Sequence, residues 1–435
     1  MNPISMSAES RLLDALCPWL SARRWLLGFS GGLDSTVLLQ ALAQLARRHA
    51  LPPISAIHVH HGLQAVADTW PEHCRQVCEG LGVPLEIVRV QVAHGASLER
   101  AARDARYAAF AARLSEGDVL LTAQHRDDQA ETLLFRLLRG AGVRGLAAMP
   151  VERPLGQGRL VRPLLNIPRA ELQGYADGQG LRWIEDPSNQ CADHARNYLR
   201  LQVLPPISQR WPQATANMAR TAAHMAEAQE LLDELAQADL ATAQAPSPFG
   251  WLALPTLSLP ALRALSPARQ RNAMRHWLAH LTELPDSDHW AGWESLRDAR
   301  GDASPRWRLG GGELQRAGER ICWVSGAWLM HAEGALDWVQ PSTDLTLPGN
   351  GQLRLVGTPP VGRLQVRYRV GGEVLVLPGR GRRDLKRLLN EAGVPGFVRP
   401  RLPLLFCEGQ LLAVANLPQL SAADVSLVWT VPAAD

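Results

Sequence analysis

Short apolar runs alternate with helix-spaced apolar positions over the first two hundred residues. Between the runs, apolar residues recur every three or four positions, as in DSTVLLQALAQLARRHA, which predicts helices. Strands that alternate with helices indicate an α/β fold with a doubly wound, mostly parallel, Rossmann-like sheet. The ligand of such a sheet binds at the carboxyl ends of the strands. The predicted strands cover residues 24–30, 53–61, 84–92, 118–124 and 181–186.

The pattern changes twice after this region. The segment VLPPISQRWPQ interrupts the alternation, and the Ala- and Leu-rich stretch from 213 to about 280 predicts helices. From about 341 onward, Gly and Pro separate short apolar runs, which predicts a small β-rich α+β domain. We therefore expect three domains, at 1–212, 213–340 and 341–435.

Composition places the chain among ordinary globular proteins. Its 435 residues are 46% hydrophobic, and no apolar run is long enough to span a membrane. The first twenty residues lack the basic start of a signal peptide. Six cysteines without a C-x-x-C pair favour a reducing compartment and disfavour a zinc or iron–sulfur site. We expect a cytoplasmic protein with no membrane partner.

Although the net charge is only +3, one segment of the chain is strongly basic. Residues 363–401 carry ten basic and three acidic side chains. Such a run is either a solvated helix face or a surface that contacts nucleic-acid phosphates. Five of the ten lie close together, at Arg380, Arg382, Arg383, Lys386 and Arg387.

The most informative segment is SGGLDS, residues 30–35, between the first strand and the first long helix of the α/β region. Glycines before a helix expose unpaired N–H groups and the positive end of the helix dipole, which suits a phosphate. No lysine follows the glycines, so the segment is not a Walker loop. Asp34 is a possible metal ligand. The alternative is an ordinary turn in which Asp34 or Ser35 caps the helix.

Further polar clusters follow the other predicted strands. His58, in AIHVHHG, is expected to line a pocket, because three imidazoles alone are weak evidence for a metal site. In TAQHRDDQAET, Asp128 and Glu131 have the spacing of a capping box. Together with Asp127 they also form an acidic cluster near the glycine segment. This favours Mg²⁺ or an amine substrate over capping alone.

Two arginine-containing segments complete the candidate site. Arg103 and Arg106 lie one turn apart on a predicted helix, either as a solvated face or as a phosphate clamp. The polar segment IEDPSNQCADHARNYLR, which contains Arg196 and Arg200, is typical of a lid over the site.

In this order and spacing, the segments resemble the tRNA(Ile)-lysidine synthetase family of PP-loop ATP pyrophosphatases. The resemblance rests on SGGLDS, HVHHG, LERAARDARYAAF, TAQHRDDQAET, RPLL, RWIEDPSN and RNYLR. It continues through GDASPRWRLGGGE and GRGRRDLKRLLNEAGVP, as in the long form with two C-terminal domains. SGGLDS alone is shared with thiolation enzymes and with GMP and asparagine synthetases. Leu33, and Gln124 where some members carry His, are minor departures.

The resemblance implies a two-step reaction on the first anticodon cytidine of tRNA(Ile) with a CAU anticodon. ATP adenylates the cytosine O2 and releases pyrophosphate; free L-lysine then attacks C2 and AMP leaves. A thiolase would need a cysteine pair that is absent, and a non-catalytic ATP-binding module would leave the carboxylates without a role.

The resemblance also assigns roles to individual residues. Asp34, Arg106, Asp128 and Glu131 would be catalytic, and Asp34 would also meet Mg²⁺. Asp128 and Glu131 would bind lysine. ATP would be bound by Ser30, Gly31, Gly32, Leu33, Asp34, Ser35 and His58. The second and third domains would recognise tRNA, and the expected tRNA contacts are Arg196, Arg200, Arg380, Arg382, Arg383, Lys386 and Arg387.

Overall fold

The computed structural model describes residues 8–62, 65–92, 98–191, 194–285, 288–300, 303, 305–422 and 424–433. The chain divides into two compact units, Met1–Glu230 and Leu231–Asp435. The expected three-domain division, with boundaries at 212 and 340, stays a prediction.

The first unit begins with alternating helices and strands. These are α1 (Ala8–Leu16), β1 (Arg24–Gly28), α2 (Leu33–Ala46), β2 (Ile54–His60), α3 (Trp70–Leu81), β3 (Leu85–Arg89), α4 (Leu98–Ala111), β4 (Asp118–Leu121) and α5 (Arg126–Leu137). After them come α6 (Val143–Leu146), β5 (Glu152–Leu155), β6 (Gly158–Val161), α7 (Arg169–Gly178), α8 (Ala195–Tyr198), a π-helical turn (Leu199–Val203), α9 (Leu204–Arg210) and α10 (Ala214–Ala243), which continues into the second unit.

The strands of the first unit form one sheet in the order β3-β2-β1-β4-β6-β5. All neighbours are parallel except β5, which pairs antiparallel with β6. Buried side chains such as Leu27, Leu38 and Leu121 pack one face of the sheet against its helices. A second cluster, containing Leu26 and Leu120, packs the other face. The prediction of a doubly wound, mostly parallel sheet is confirmed.

The predicted strand at 181–186 is wrong, because these residues form no strand. Instead of pairing in the sheet, this segment bonds to the glycine segment: the backbone N–H of Ile184 donates to the carbonyl of Gly31 at 2.8 Å. The hairpin of β5 and β6, which the apolar pattern did not reveal, extends the sheet beyond β4 instead.

The second unit combines helices with several small sheets. Its first part contains β7 (Thr256–Ser258), α11 (Leu259–Arg263), α12 (Pro267–Leu278), α13 (Ala291–Asp298), β8 (Arg306–Leu309), β9 (Gly312–Ala317) and β10 (Arg320–Ser325). Its second part contains β11 (Ala335–Asp337), β12 (Leu345–Thr346), β13 (Gln352–Gly357), β14 (Leu364–Arg367), β15 (Val374–Leu377), β16 (Gly381–Asp384), α14 (Leu385–Glu391), β17 (Leu404–Cys407), β18 (Gln410–Val414) and β19 (Val425–Thr430).

The helical region predicted after residue 213 is present as α10 to α13, but it also contains an unpredicted sheet. β7, β10, β9 and β8 pair antiparallel in that order. Their apolar face packs with the helices around Trp293, Leu314 and Ile321. The β-rich C-terminal part is confirmed: it has a four-stranded sheet, a three-stranded sheet and a hairpin of β15 and β16. In the described ranges, no helix has the length and apolar character needed to cross a membrane.

Candidate active site

The glycine segment follows β1 and leads directly into α2. Gly31 has φ +82°, a conformation that favours glycine. A Cβ at this position would lie 2.6 Å from Ile184 Cδ1 and 3.0 Å from Cys74 Sγ. The carbonyl of Gly31 accepts from Ile184 N and, at 3.3 Å, from Thr36 Oγ1. The turn is therefore held from two sides and requires glycine.

No side chain caps the N-terminus of α2. The N-cap residue is Gly32, so the alternative that Asp34 or Ser35 caps this helix is wrong. Ser35 Oγ donates to the carbonyl of Gly32 at 3.0 Å and lies 3.0 Å from Ser30 Oγ. The first-turn N–H groups and the helix dipole are consequently available to an anion, as a phosphate site requires.

A cavity of about 660 Å³ opens in front of α2. It lies at the carboxyl ends of β1, β2 and β4, where the doubly wound fold predicts a ligand. Gly31 and Glu131 are not among its lining residues. The predicted site residues that line it are Ser30, Gly32, Leu33, Asp34, Ser35, His58, Arg106, Asp128, Arg196 and Arg200.

Asp34 projects from the first turn of α2 into this cavity. Its Oδ1 is buried without a hydrogen-bond partner among the described residues, and its Oδ2 lies 3.7 Å from His125 Nε2. Burial raises the pKa of Asp34 above its ordinary value, and the charge of Asp128 adds to this effect, whereas His125 opposes it. An unpartnered carboxylate oxygen facing a phosphate site fits a cation.

His125 is a site residue that the sequence reasoning missed. It is 1% exposed and lies immediately before α5 as its N-cap. The N–H of Asp128 donates to His125 Nδ1 at 3.4 Å, and the N–H of His125 donates to Asp128 Oδ2 at 3.1 Å. A capping box therefore exists, but it joins His125 to Asp128 and does not join Asp128 to Glu131. The only sequence signal was the position of His125, three residues before Asp128.

Glu131 lies behind the cavity wall, 2% exposed, and contacts two arginines. Arg200 Nε donates to its Oε1 at 2.6 Å, and Arg200 Nη2 donates to its Oε2 at 3.0 Å. Arg196 Nε donates to Oε2 at 3.1 Å. Arg200 Nη2 also donates to Asp128 Oδ1 at 3.1 Å. The two arginines assigned to tRNA thus contact the carboxylates assigned to lysine, and both assignments stay predictions.

Asp127, the third acid of the cluster, has a different role. Its Oδ2 accepts a hydrogen bond of 2.8 Å from the N–H of Arg169, the first residue of α7. Asp127 is absent from the cavity lining. It connects the starts of α5 and α7, and the acidic residues that line the cavity are Asp34, Asp128, Glu185 and Asp186.

His58 lines the opposite part of the cavity. Its Nδ1 lies 2.9 Å from the carbonyl oxygen of Phe29, so that this nitrogen carries the proton and donates. Its Nε2 is buried and has no hydrogen-bond partner in the described ranges. Burial lowers the pKa of His58, and the hydrogen bond to Phe29 opposes this effect only in part. The neutral ring presents one unused acceptor.

Arg106 reaches the cavity from α4. The same face of the helix brings Arg103, Tyr107 and Phe110 into the lining, so the alternative of a purely solvated arginine face is wrong. Burial lowers the pKa of Arg106, and repulsion from Arg103 and Arg196 adds to this effect. A phosphate at the glycine segment would supply the missing negative charge.

The basic C-terminal segment lies in the second unit, on the hairpin of β15 and β16 and on α14. Arg380 and Arg387 pair with Glu391 at 3.3 and 3.0 Å. The other three side chains, Arg382, Arg383 and Lys386, are exposed and form no ion pair with any described residue. We call these three the unpaired basic trio.

The fold and the glycine segment define a class of nucleotide-binding enzyme. Residues 4–207 match the family described as the PP-loop domain. Residues 257–322 match the TilS substrate binding domain, and residues 364–426 match the TilS substrate C-terminal domain. The protein thus has a PP-loop, ATP-binding domain and two further domains whose family models share one name.

Full-length relatives narrow the class to one family. The tRNA(Ile)-lysidine synthase of Pseudomonas syringae pv. tomato is 63% identical over 100% of this chain and 98% of its own. That of Pseudomonas aeruginosa is 62% identical over 98% of each chain. That of Escherichia coli O157:H7 is 42% identical over 94% of this chain and 97% of its own. The chain belongs to the tRNA(Ile)-lysidine synthase family, which confirms the resemblance found in the sequence.

Proposed function

We propose that this enzyme joins free L-lysine to C2 of the wobble cytidine of tRNA(Ile) with a CAU anticodon. The reaction would consume ATP and release AMP and pyrophosphate, and we place it in the cytoplasm. The name shared by the relatives supports this specificity. The observation that carries the proposal is a single cavity in which an open helix N-terminus lies beside Asp34 and Asp128. The helix N-terminus suits phosphates, Asp34 suits a metal ion bound to them, and Asp128 suits an amine.

The first step would form an adenylated cytidine. The cytosine O2 attacks the α-phosphorus of ATP, the bond from this phosphorus to the bridging oxygen breaks, and pyrophosphate leaves with the bond electrons. Negative charge grows on the leaving oxygens, which the N–H groups of α2 and the guanidinium of Arg106 stabilise. His58 offers its free Nε2 as an acceptor for a ligand N–H group.

Mg²⁺ fits the acidic side of this site. Asp34 would hold the ion, because its Oδ1 is buried and unpartnered and because one or two carboxylates plus phosphate oxygens form the usual magnesium shell. The described residues contain no cluster of three or more metal-binding side chains. When bound, the ion would neutralise charge on the phosphates of ATP.

The second step would transfer the cytidine from AMP to lysine. The ε-ammonium has an ordinary pKa of about 10.4, so it must be bound and must transfer a proton, for which the proposed acceptor is the Asp128 carboxylate, before it can attack. Asp128 lines the cavity and would contact the amine directly. The amine nitrogen attacks C2, the bond from C2 to O2 breaks, and AMP leaves with that oxygen. Glu131, already engaged by two guanidinium groups, would act by holding Arg196 and Arg200 in place.

The remainder of the chain would bind the tRNA body. We propose residues 213–340 and 341–435 as two tRNA-recognition domains, with the unpaired basic trio contacting backbone phosphates. Arg380 and Arg387 would contribute less, because Glu391 already neutralises part of their charge.

One assay tests the reaction as a whole. The enzyme is incubated with ATP, labelled lysine and tRNA(Ile), and a matched tRNA with uridine at the first anticodon position serves as control. We expect one lysine per cytidine-containing tRNA, with one AMP and one pyrophosphate released. Pyrophosphate release without lysine in the tRNA would point to a different nucleophile, and the absence of both would indicate a non-catalytic ATP-binding module.

A further inference from the structure

A group of arginines surrounds Tyr107, which lines the cavity together with Arg103 and Arg106; Arg153 and Arg162 contact or approach Tyr107 from outside the lining. The guanidinium carbon of Arg103 lies 4.9 Å from the centre of the Tyr107 ring, and that of Arg153, from β5, lies 5.0 Å from it. The guanidinium carbon of Arg106 lies 5.8 Å from the same centre. The positive charge of Arg162 also acts on the tyrosine hydroxyl and lowers its pKa. Four positive groups thus share one aromatic side chain.

These charges lack a carboxylate partner in the part of the chain that the structure describes. Among the described residues, no carboxylate forms an ion pair with Arg103, Arg106 or Arg153. Burial acts to raise the pKa of Tyr107, yet the positive charges of Arg103, Arg162 and Arg106 outweigh burial and lower it. Like charges held this close repel one another, so an anion bound here would be favourable.

Three residues of α4 that line the cavity lie at successive turns of the helix. Phe110 lies at the floor: a Cβ on Gly28 of β1 would be 3.2 Å from its ring. Arg106 lies one turn higher and is half-buried, and Arg103 lies one further turn out and is exposed. Arg106 is therefore placed for a phosphate at the glycine segment, whereas Arg103 is placed for an anion at the entrance.

We propose that Arg103 and Arg153, stacked on Tyr107, form a second phosphate site at the cavity rim that binds the RNA backbone beside the modified cytidine. This inference rests on the proposed function, because a base reaches such a cavity only when it is turned out of its strand. Its neighbouring backbone phosphates then lie at the entrance. A planar guanidinium fixed on an aromatic face meets a phosphate with two parallel hydrogen bonds.

The test compares Arg103→Gln, Arg153→Gln and the double variant with the wild-type enzyme. Arg159→Gln on β6 is the matched control, because Arg159 is an exposed arginine of the same hairpin that already pairs with Glu152. We expect each single variant to weaken equilibrium binding of tRNA(Ile) by about tenfold, as loss of a charge-assisted hydrogen bond does. The KM for ATP and the melting temperature should change little, and the control should bind normally.

A second arm separates RNA phosphate from ATP phosphate. Full-length tRNA(Ile) is prepared with one uncharged methylphosphonate linkage, on either side of the target cytidine. Compared with unmodified tRNA, one of these two tRNAs should bind the wild-type enzyme about tenfold more weakly. The Arg103→Gln variant should bind that tRNA and unmodified tRNA with equal affinity, because the contact is already lost. A higher KM for ATP with unchanged tRNA affinity would overturn the proposal in favour of an ATP contact. Lower melting temperatures alone would overturn it in favour of a purely structural cluster. Because binding is measured directly, failure of lysine transfer would contradict the proposed function and leave this test intact.

Discussion

Replacement of Glu131 by glutamine tests the acidic side of the cavity. The carboxylate is 2% exposed and accepts hydrogen bonds from Arg196 and Arg200 at both oxygens. In Glu131→Gln the shape is kept, but the negative charge is lost and one oxygen becomes an NH₂ group. That NH₂ group would face a guanidinium N–H, so that a donor meets a donor.

The size of the effect follows from burial. Breaking a buried ion pair by removing one partner costs about 3–5 kcal/mol. Arg196 and Arg200 remain 36% and 34% exposed, so water compensates part of the loss. We expect the variant to lose about 2–3 kcal/mol of unfolding free energy. In a unit of this size each kcal/mol lowers the melting temperature by about 2–4 °C, which gives a decrease of about 4–12 °C.

Kinetic measurements distinguish a positioning role of Glu131 from a purely structural one. If Glu131 positions the arginines around the amine site, the KM for lysine should rise at least about tenfold, while the KM for ATP stays within about twofold. Asp239→Asn is the matched control: Asp239 is 3% exposed and pairs with Arg269 in the second unit. It should lower the melting temperature without changing the KM for lysine. Equal stability losses with an unchanged lysine KM in both variants would refute the reasoning.

Three further predictions concern the phosphate side and the tRNA surface. Asp34→Asn should abolish tRNA-dependent exchange of pyrophosphate into ATP without lowering the melting temperature. The melting temperature should not fall because burial already disfavours the charged form of Asp34 and raises its pKa. If the variant still exchanged pyrophosphate into ATP, Asp34 would have no part in the mechanism. Gly31→Ala should weaken ATP binding at least about tenfold, measured by equilibrium dialysis, because φ is +82° and a Cβ meets neighbouring atoms. Gly80→Ala, with nothing within 4 Å, should bind ATP normally. Glutamines at the unpaired basic trio should reduce the slope of log affinity for tRNA against log salt by about 2–3, in filter binding across a salt series. An equal reduction from the two arginines that pair with Glu391 would contradict the distinction between paired and unpaired charges.

The core of the α/β fold was predictable because its signals are local. The parallel strands β1, β2, β3 and β4 are short apolar runs between helices, and the run itself identifies them. The segment 181–186 carries the same signal but bonds to the glycine segment through Ile184. The local hydrophobic periodicity does not show whether an apolar run pairs with a neighbouring strand or bonds to a loop. The hairpin of β5 and β6 was missed because Pro154 and Gly156 interrupt its pattern.

The individual segments of the site could be predicted from the sequence, but the contacts between their side chains could not. The glycine segment is read from adjacent residues, because the turn and the helix N-terminus are local features. The bond between Arg196 and Glu131 joins positions 65 residues apart, and nothing in either segment reveals it. His125 was missed because histidine is not among the preferred N-cap residues, although its ring nitrogen accepts the same backbone hydrogen bond.

These pairings change which arginines are available to phosphate. Arg196 and Arg200 form ion pairs with both Glu131 and Asp128, so their charge is already compensated before a substrate arrives. Arg103 and Arg106 have no such partner among the described residues and keep their full attraction for anions. One cavity therefore has a compensated acidic side and an uncompensated basic side. Phosphates at the N-terminus of α2 would be attracted by Arg106, and a cation held by Asp34 would offset repulsion from that carboxylate, whereas an amine would be attracted by Asp128. This separation allows a polyanionic nucleotide and a cationic nucleophile to occupy the same cavity, which the proposed two-step ligation requires.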